Sequence, residues 1–162
     1  FFHARFDAVG KTYTYRIHNA PHPSALYRNY MVHVPVKLDL RAMTEAMQAL
    51  SGTHDFAAFQ AVGGTAKTTV RTLTHLELTR EGERLTFIVQ GNAFLYNMVR
   101  IIAGTLIEIC KGKLDMDCFR RAIETGDRLC LGPTAPACGL ELTQVFYPHS
   151  ASGIRQVAEK EF

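Results

Sequence analysis

The 162-residue sequence predicts an α+β domain, a mostly antiparallel sheet with helices packed on one face. Three observations predict it. Alternating strand-like segments come in neighbouring pairs around short Gly-containing turns, which is how hairpins read. Stretches with apolar residues at helical spacing lie between those pairs. Hydrophobic residues make up 47% and charged residues 20%, proportions that suit a folded core and exclude disorder along the whole chain.

The elements follow in order. Residues 2–8 alternate and read as a strand, with a turn at Val9-Gly10. Residues 11–17 alternate again and carry aromatic and β-branched side chains, so they read as its hairpin partner. On that second strand Tyr13, Tyr15 and Ile17 share one face with Lys11, while Thr12, Thr14 and Arg16 point the other way. The prolines of Ala20-Pro21-His22-Pro23 make a loop, and residues 30–36 suit a short strand. Asp39 caps a helix whose apolar stripe is Leu40, Met43, Ala46, Met47 and Leu50, with Gly52 at its end. Residues 53–69 are polar apart from the cluster at 54–59. Residues 70–78 and 85–89 form a second hairpin around Glu81-Gly82-Glu83. The longest helix spans 93–111, capped by Asn92 and ended by Gly112. A short helix runs from Met116 to Thr125 with Asp115 as cap and Gly126 as stop. A loop stiffened by Pro133 and Pro136 leads to a final strand at 140–147. One α+β domain at 1–149 and a tail at 150–162 account for the chain.

Composition narrows the functional classes. No stretch approaches the roughly 18 uninterrupted apolar residues of a membrane helix, since the richest run, 101–110, contains Glu108. The net charge is +3, which permits a polyanionic partner without demanding one. Cys110, Cys118, Cys130 and Cys138 include no C-x-x-C pair, and a chain of this length builds a core without disulfides. Reduced thiols in a cytoplasmic protein are expected, with no metal site, because no Cys or His ligands sit at a tight spacing. No basic segment followed by an apolar run marks a secretory signal.

Few residues stand out for chemistry. There is no phosphate-loop or dinucleotide-loop pattern, and Gly63-Gly64 alone reads as a flexible loop. Arg100 is the oddest residue, placed in an apolar helical run. Either its head snorkels to the edge, or it meets a carboxylate or phosphate. Tyr13 and Tyr15 are either core residues or, with Lys11 beside them, a face for unstacked RNA bases. Arg5, Lys11, Arg16 and Arg71 are available to phosphates or to water alike. His54-Asp55 invites an acid–base reading, but adjacent residues rarely face each other and no nucleophile motif accompanies them.

Several segments together resemble the TruA family of tRNA pseudouridine synthases. They are Ala4-Arg5-Phe6-Asp7-Ala8 with Lys11-Thr12-Tyr13-Thr14-Tyr15-Arg16; Gly52-Thr53-His54-Asp55-Phe56; Arg71-Thr72; residues 92–100, N-A-F-L-Y-N-M-V-R; and residues 134–140, T-A-P-A-C-G-L. They occur in the family's order and span nearly the whole chain.

The resemblance implies an enzyme that isomerises uridine to pseudouridine in the anticodon arm of tRNA, using no metal and no organic cofactor. It breaks the glycosidic N–C bond, turns the uracil and rejoins it through carbon, on a nucleotide flipped from its stack. By resemblance, Tyr13 is the active-site tyrosine that stacks on the base, Arg100 pairs with the nucleophilic aspartate, and Leu140 packs against the base. Arg5, Lys11 and Arg71 would join Leu140 in substrate binding. The family's aspartate lies in a G-R-T-D-A-G-V-H motif, which this sequence does not contain. The chain therefore looks like the C-terminal catalytic half of a two-half fold whose sheets join, with the nucleophile in the N-terminal half. The family also implies a homodimer with tRNA spanning both subunits. The alternative is a non-catalytic RNA-binding or scaffold domain of the same fold.

Overall fold

The computed structural model describes residues 1–148; the tail expected at 150–162 lies outside the described residues. The strands are β1 (Gly10–His18), β2 (Val32–His33), β3 (Gly52–Asp55), β4 (Val70–Glu81), β5 (Arg84–Gly91) and β6 (Leu140–Phe146). The helices are α1 (Leu40–Met47), α2 (Met98–Cys110) and α3 (Cys118–Thr125), with short 3₁₀ turns between elements. The fold is α+β, as the sequence predicts.

β1 is the central strand. From Lys11 onward it pairs antiparallel with β5, from Lys11↔Gly91 to His18↔Arg84. Its other edge is shared by β6, antiparallel from Gly10 to Tyr15, and by β2, parallel at Ile17 and His18. β4 and β3 continue the sheet beyond β5. The period-two reading of β1 holds. Tyr15 and Ile17 are buried with Leu73, Leu85, Phe87 and Val89 on the face that the helices cover. α2 is buried on nearly every side, from Met98 to Ile109, and so forms the middle of the core. Asp39 caps α1 through its carboxylate, which accepts from the Arg41 and Ala42 amides.

Five elements differ from the sequence expectation. Residues 2–8 form a turn, not a strand, because the His3 ring and the Asp7 carboxylate take up backbone amides that a ladder would use. β2 keeps only two residues; Pro35 lacks a donor, and the Tyr30 and Met31 amides bond back to the Tyr27 carbonyl. β3 was not expected. Its sequence G-T-H-D carries no apolar alternation, and its pairing with β4 supplies the order instead. α2 starts at Met98, not at residue 93, because Asn97 has φ +60° and breaks the helical path. Similarly α3 begins at Cys118, while Asp115 binds the Asp117 amide and the Arg121 guanidinium.

The loop before β6 is strapped to α2. The Ala135 amide donates to the Arg100 carbonyl at 3.0 Å, and the Arg100 Nε donates to the Ala135 carbonyl at 2.7 Å. The Gly132 amide donates to the Thr105 hydroxyl at 2.9 Å, and the Tyr15 hydroxyl donates to the Pro136 carbonyl at 2.7 Å. Gly104 makes the approach possible: a Cβ there would lie 1.8 Å from the Pro133 carbonyl oxygen.

Two outcomes are expected. Gly104→Ala should destabilise the chain by about 1–3 kcal/mol in urea titration, overpacking outweighing the roughly 1 kcal/mol by which Ala is the better helix former. At the left-handed Asn97, Asn97→Gly should lower the melting temperature less than Asn97→Ala, which adds roughly 1–2 kcal/mol of backbone strain. Equal effects of the two would mean that φ at residue 97 carries no strain.

Candidate active site

An open cavity of about 570 Å³ lies at the end of the sheet where β1 begins and β5 ends. Its walls come from six places: the turn before β1, the β1 entry, the loop at 63–66, the start of β4, the segment from β5 into the first residues of α2, and the start of β6. Arg5, Lys11 and Arg71 line it, and among the described residues no carboxylate does. Phe6, Tyr13, Phe94 and Tyr96 supply aromatic faces, and Leu140 an aliphatic one. A cavity with three cations, no acid and several ring faces is suited to a polyanion that carries planar groups.

Local structure explains the placement. β6 bulges against β1: Tyr13 opposes Leu142 and Thr12 opposes Gln144, which leaves Thr143 without a ladder partner. The Thr143 hydroxyl bonds instead to the Thr14 hydroxyl at 2.6 Å. Leu140 and Leu142 thereby stand opposite Tyr15 and Tyr13 on one face. The Tyr13 ring meets Phe94 edge-on, with centroids 5.0 Å apart. Burial pushes the Tyr13 phenol above its ordinary value, so near neutrality it keeps its proton.

Arg71 is held by donation from Nη1 to the carbonyls of Thr68 and Val70, both at 2.7 Å. Its Nε is buried without a partner. Arg5 is exposed, with its guanidinium 5.8 Å from the centroid of the Phe6 ring.

Five of the six residues named from the sequence therefore border one cavity: Tyr13, Leu140, Arg5, Lys11 and Arg71. Arg100 does not line it. Its side chain is half-buried, with Nη1 donating to the Asn97 Oδ1 at 3.1 Å and Nε to the Ala135 carbonyl. Asn97 is the link, since it lines the cavity and also holds Arg100. Both acceptors are neutral, and among the described residues no carboxylate pairs with this guanidinium. Tyr15 lies on the same side: burial, and then Cys138, push its phenol well above the ordinary range, while Arg100 pulls the other way.

His54 is a half-buried structural group whose Nε2 lies 2.8 Å from the Ser51 carbonyl, while Asp55 binds Thr69 and the Ala57 amide. Sequence reasoning missed Asn97, Phe94 and Phe6 as wall residues. All three stand inside the motifs quoted above, but nothing in their spacing showed that the helix stops short of residue 97. Among the described residues no group of three or more His, Cys, Asp or Glu side chains could hold a metal ion, and no helix is long and apolar enough to cross a membrane.

Comparison with known proteins places this geometry in a family. A family profile described as tRNA pseudouridine synthase matches residues 46–148. The tRNA pseudouridine synthase A 2 of Clostridium perfringens is 47% identical over 146 residues, covering 90% of this chain and 60% of the relative. The tRNA pseudouridine synthase A of Acetivibrio thermocellus is 49% identical over 146 residues with the same coverage. That of Paramagnetospirillum magneticum is 45% identical over 152 residues, covering 94% of this chain and 59% of the relative. The chain thus spans about 60% of the length of the curated relatives it matches. With the profile covering well over half of the sequence, the chain belongs to the tRNA pseudouridine synthase family.

Proposed function

We propose that this chain carries the base-binding part of a tRNA pseudouridine synthase, which isomerises uridine to pseudouridine in the anticodon arm of tRNA. The observation that carries the reading is the cavity itself. Three cations and no acid meet a phosphate backbone, and the ring of Tyr13, backed by Phe94 and flanked by Leu140, offers a surface for one flipped base. The reaction cleaves the bond from the sugar C1′ to N1, rotates the uracil and joins C1′ to C5; the C5 proton leaves and N1 gains one. Tyr13 stacks on the base and, as a neutral phenol, donates or relays a proton there.

The nucleophile comes from elsewhere. Among the described residues no carboxylate lines the cavity, and the covalent step needs the nucleophile that the family resemblance gives as an aspartate. An aspartate from the N-terminal half of the full-length enzyme enters beside Asn97. Arg100, whose two bonds go to neutral acceptors, keeps donors free to orient that carboxylate. The complete enzyme is a cytoplasmic homodimer, with tRNA lying across both subunits.

The 162-residue chain alone should form no pseudouridine in tRNA, and adding the N-terminal half should restore it, as read by mass spectrometry of nuclease digests. Turnover by the chain alone would overturn the division of labour. In the reassembled enzyme Tyr13→Phe should still bind tRNA but isomerise at least about 100-fold more slowly, the usual scale of a lost proton-transfer group. Full activity would confine Tyr13 to packing. RNA binding by the chain should weaken as salt rises, and Lys11→Ala or Arg71→Ala should flatten that dependence by about one phosphate contact each. A salt-independent affinity, or an inactive reassembled enzyme that still binds RNA, would favour the non-catalytic alternative.

A further inference from the structure

The turn that precedes β1 is built around a histidine ring. The His3 Nδ1 accepts from the backbone amides of both Arg5 and Phe6, each at 3.2 Å. The His3 amide donates to the Asp7 Oδ2 at 2.6 Å, and the Asp7 amide to the His3 carbonyl at 2.9 Å. The His3 and Phe6 rings lie 4.3 Å apart. The Tyr147 hydroxyl fixes the turn to the end of β6 by donating to the Ala4 carbonyl at 2.9 Å. An Nδ1 that accepts two amides carries no proton, so the ring is the Nε2–H tautomer by geometry. This is the arrangement in which a side-chain acceptor captures the amides two and three residues ahead, as Asn or Asp does at a helix cap.

The turn contributes little to the core. His3, Ala4, Arg5 and Phe6 are all exposed, with Phe6 75% exposed. Arg5 and Phe6 nevertheless line the cavity. Local hydrogen bonds without burial order the segment for what it displays.

We propose that His3 is a positioning residue: its unprotonated Nδ1 holds the Arg5–Phe6 backbone in a cap so that the guanidinium and the ring stand at the cavity mouth and meet the RNA there. This rests on the reading of the cavity as an RNA site. His3 itself touches no substrate. It acts through two amides, and a side chain presenting an oxygen where Nδ1 sits should replace it. Asn does so, with Oδ1 at the same distance from the backbone. Gln places its amide too far out, at the position of Nε2, and Ala offers no acceptor.

The test compares wild type, His3→Asn, His3→Gln and His3→Ala in the full 162-residue chain. Amide-proton exchange of Arg5 and Phe6 is read by NMR, and affinity is measured for a uridine-bearing RNA stem-loop. His3→Ala and His3→Gln should speed exchange at both amides and weaken binding by about five- to tenfold, the scale of a lost cap acceptor. His3→Asn should keep both properties near wild type. Unchanged exchange in His3→Ala would overturn the cap, and faster exchange with unchanged affinity would overturn the positioning role. Wild-type protein that protects both amides yet binds no RNA would contradict the RNA reading while upholding the cap. Circular dichroism should be the same for all four chains, because the turn lies outside the core.

Discussion

The strap between α2 and the loop at 132–136 is the interaction on which the site depends. Two hydrogen bonds between Arg100 and Ala135 run in opposite directions, one to the backbone carbonyl and one from the side chain. Gly104 lets the Pro133 carbonyl lie against the helix backbone, and Thr105 and Tyr15 fasten the two ends of the loop. The chain then leaves the strap and enters β6 in one register only, with Leu140 opposite Tyr15. Without that anchor, β6 would have a hydrogen-bonded edge to β1 but no fixed starting point, and a slip of one residue would turn Leu140 away from the cavity.

The same arrangement gives Arg100 two duties. Its Nε and backbone carbonyl are structural, while the rest of its guanidinium stays without an anionic partner among the described residues. On the proposed reading a carboxylate from the N-terminal half would pair with this half-buried cation, which the helix and strap hold on two neutral carbonyls. Asn97 joins the two regions. Its left-handed backbone ends the segment that lines the cavity, starts α2, and leaves its side-chain oxygen on Arg100. Strained backbone at a site wall is a common form of preorganisation, and Asn tolerates it better than most residues.

Much of this was legible in the sequence. The alternation of β1 placed Tyr13 and Lys11 on one face, and the second hairpin and the three helices follow from apolar spacing, but of the expected N-caps only Asp39 holds, since Asn97 and Asp117 stand where Asn92 and Asp115 were expected. The positions that were not legible share a cause. Residues 2–8 alternate like a strand, yet the side chains of His3 and Asp7 outcompete the sheet for their amides. Residues 93–97 read as the first turn of α2, yet a single φ at Asn97 makes them a wall. β3 has a polar sequence and is ordered only by its neighbour. In each case a tertiary partner or a single backbone angle overrode periodicity. The placement of Arg100 behind the cavity, rather than in its wall, depends on a carbonyl 35 residues away, which no local pattern reports.

The central claim is that the cavity at the β1 entry receives a uridine from RNA. Chemical-shift mapping of the 162-residue chain with a uridine-bearing anticodon stem-loop tests it most directly. The account predicts shifts concentrated on Tyr13, Phe94, Asn97 and Leu140, with Arg5, Lys11 and Arg71 at the margin. Shifts confined instead to the second cavity at the far end of β1, around His18 and Tyr27, would contradict it.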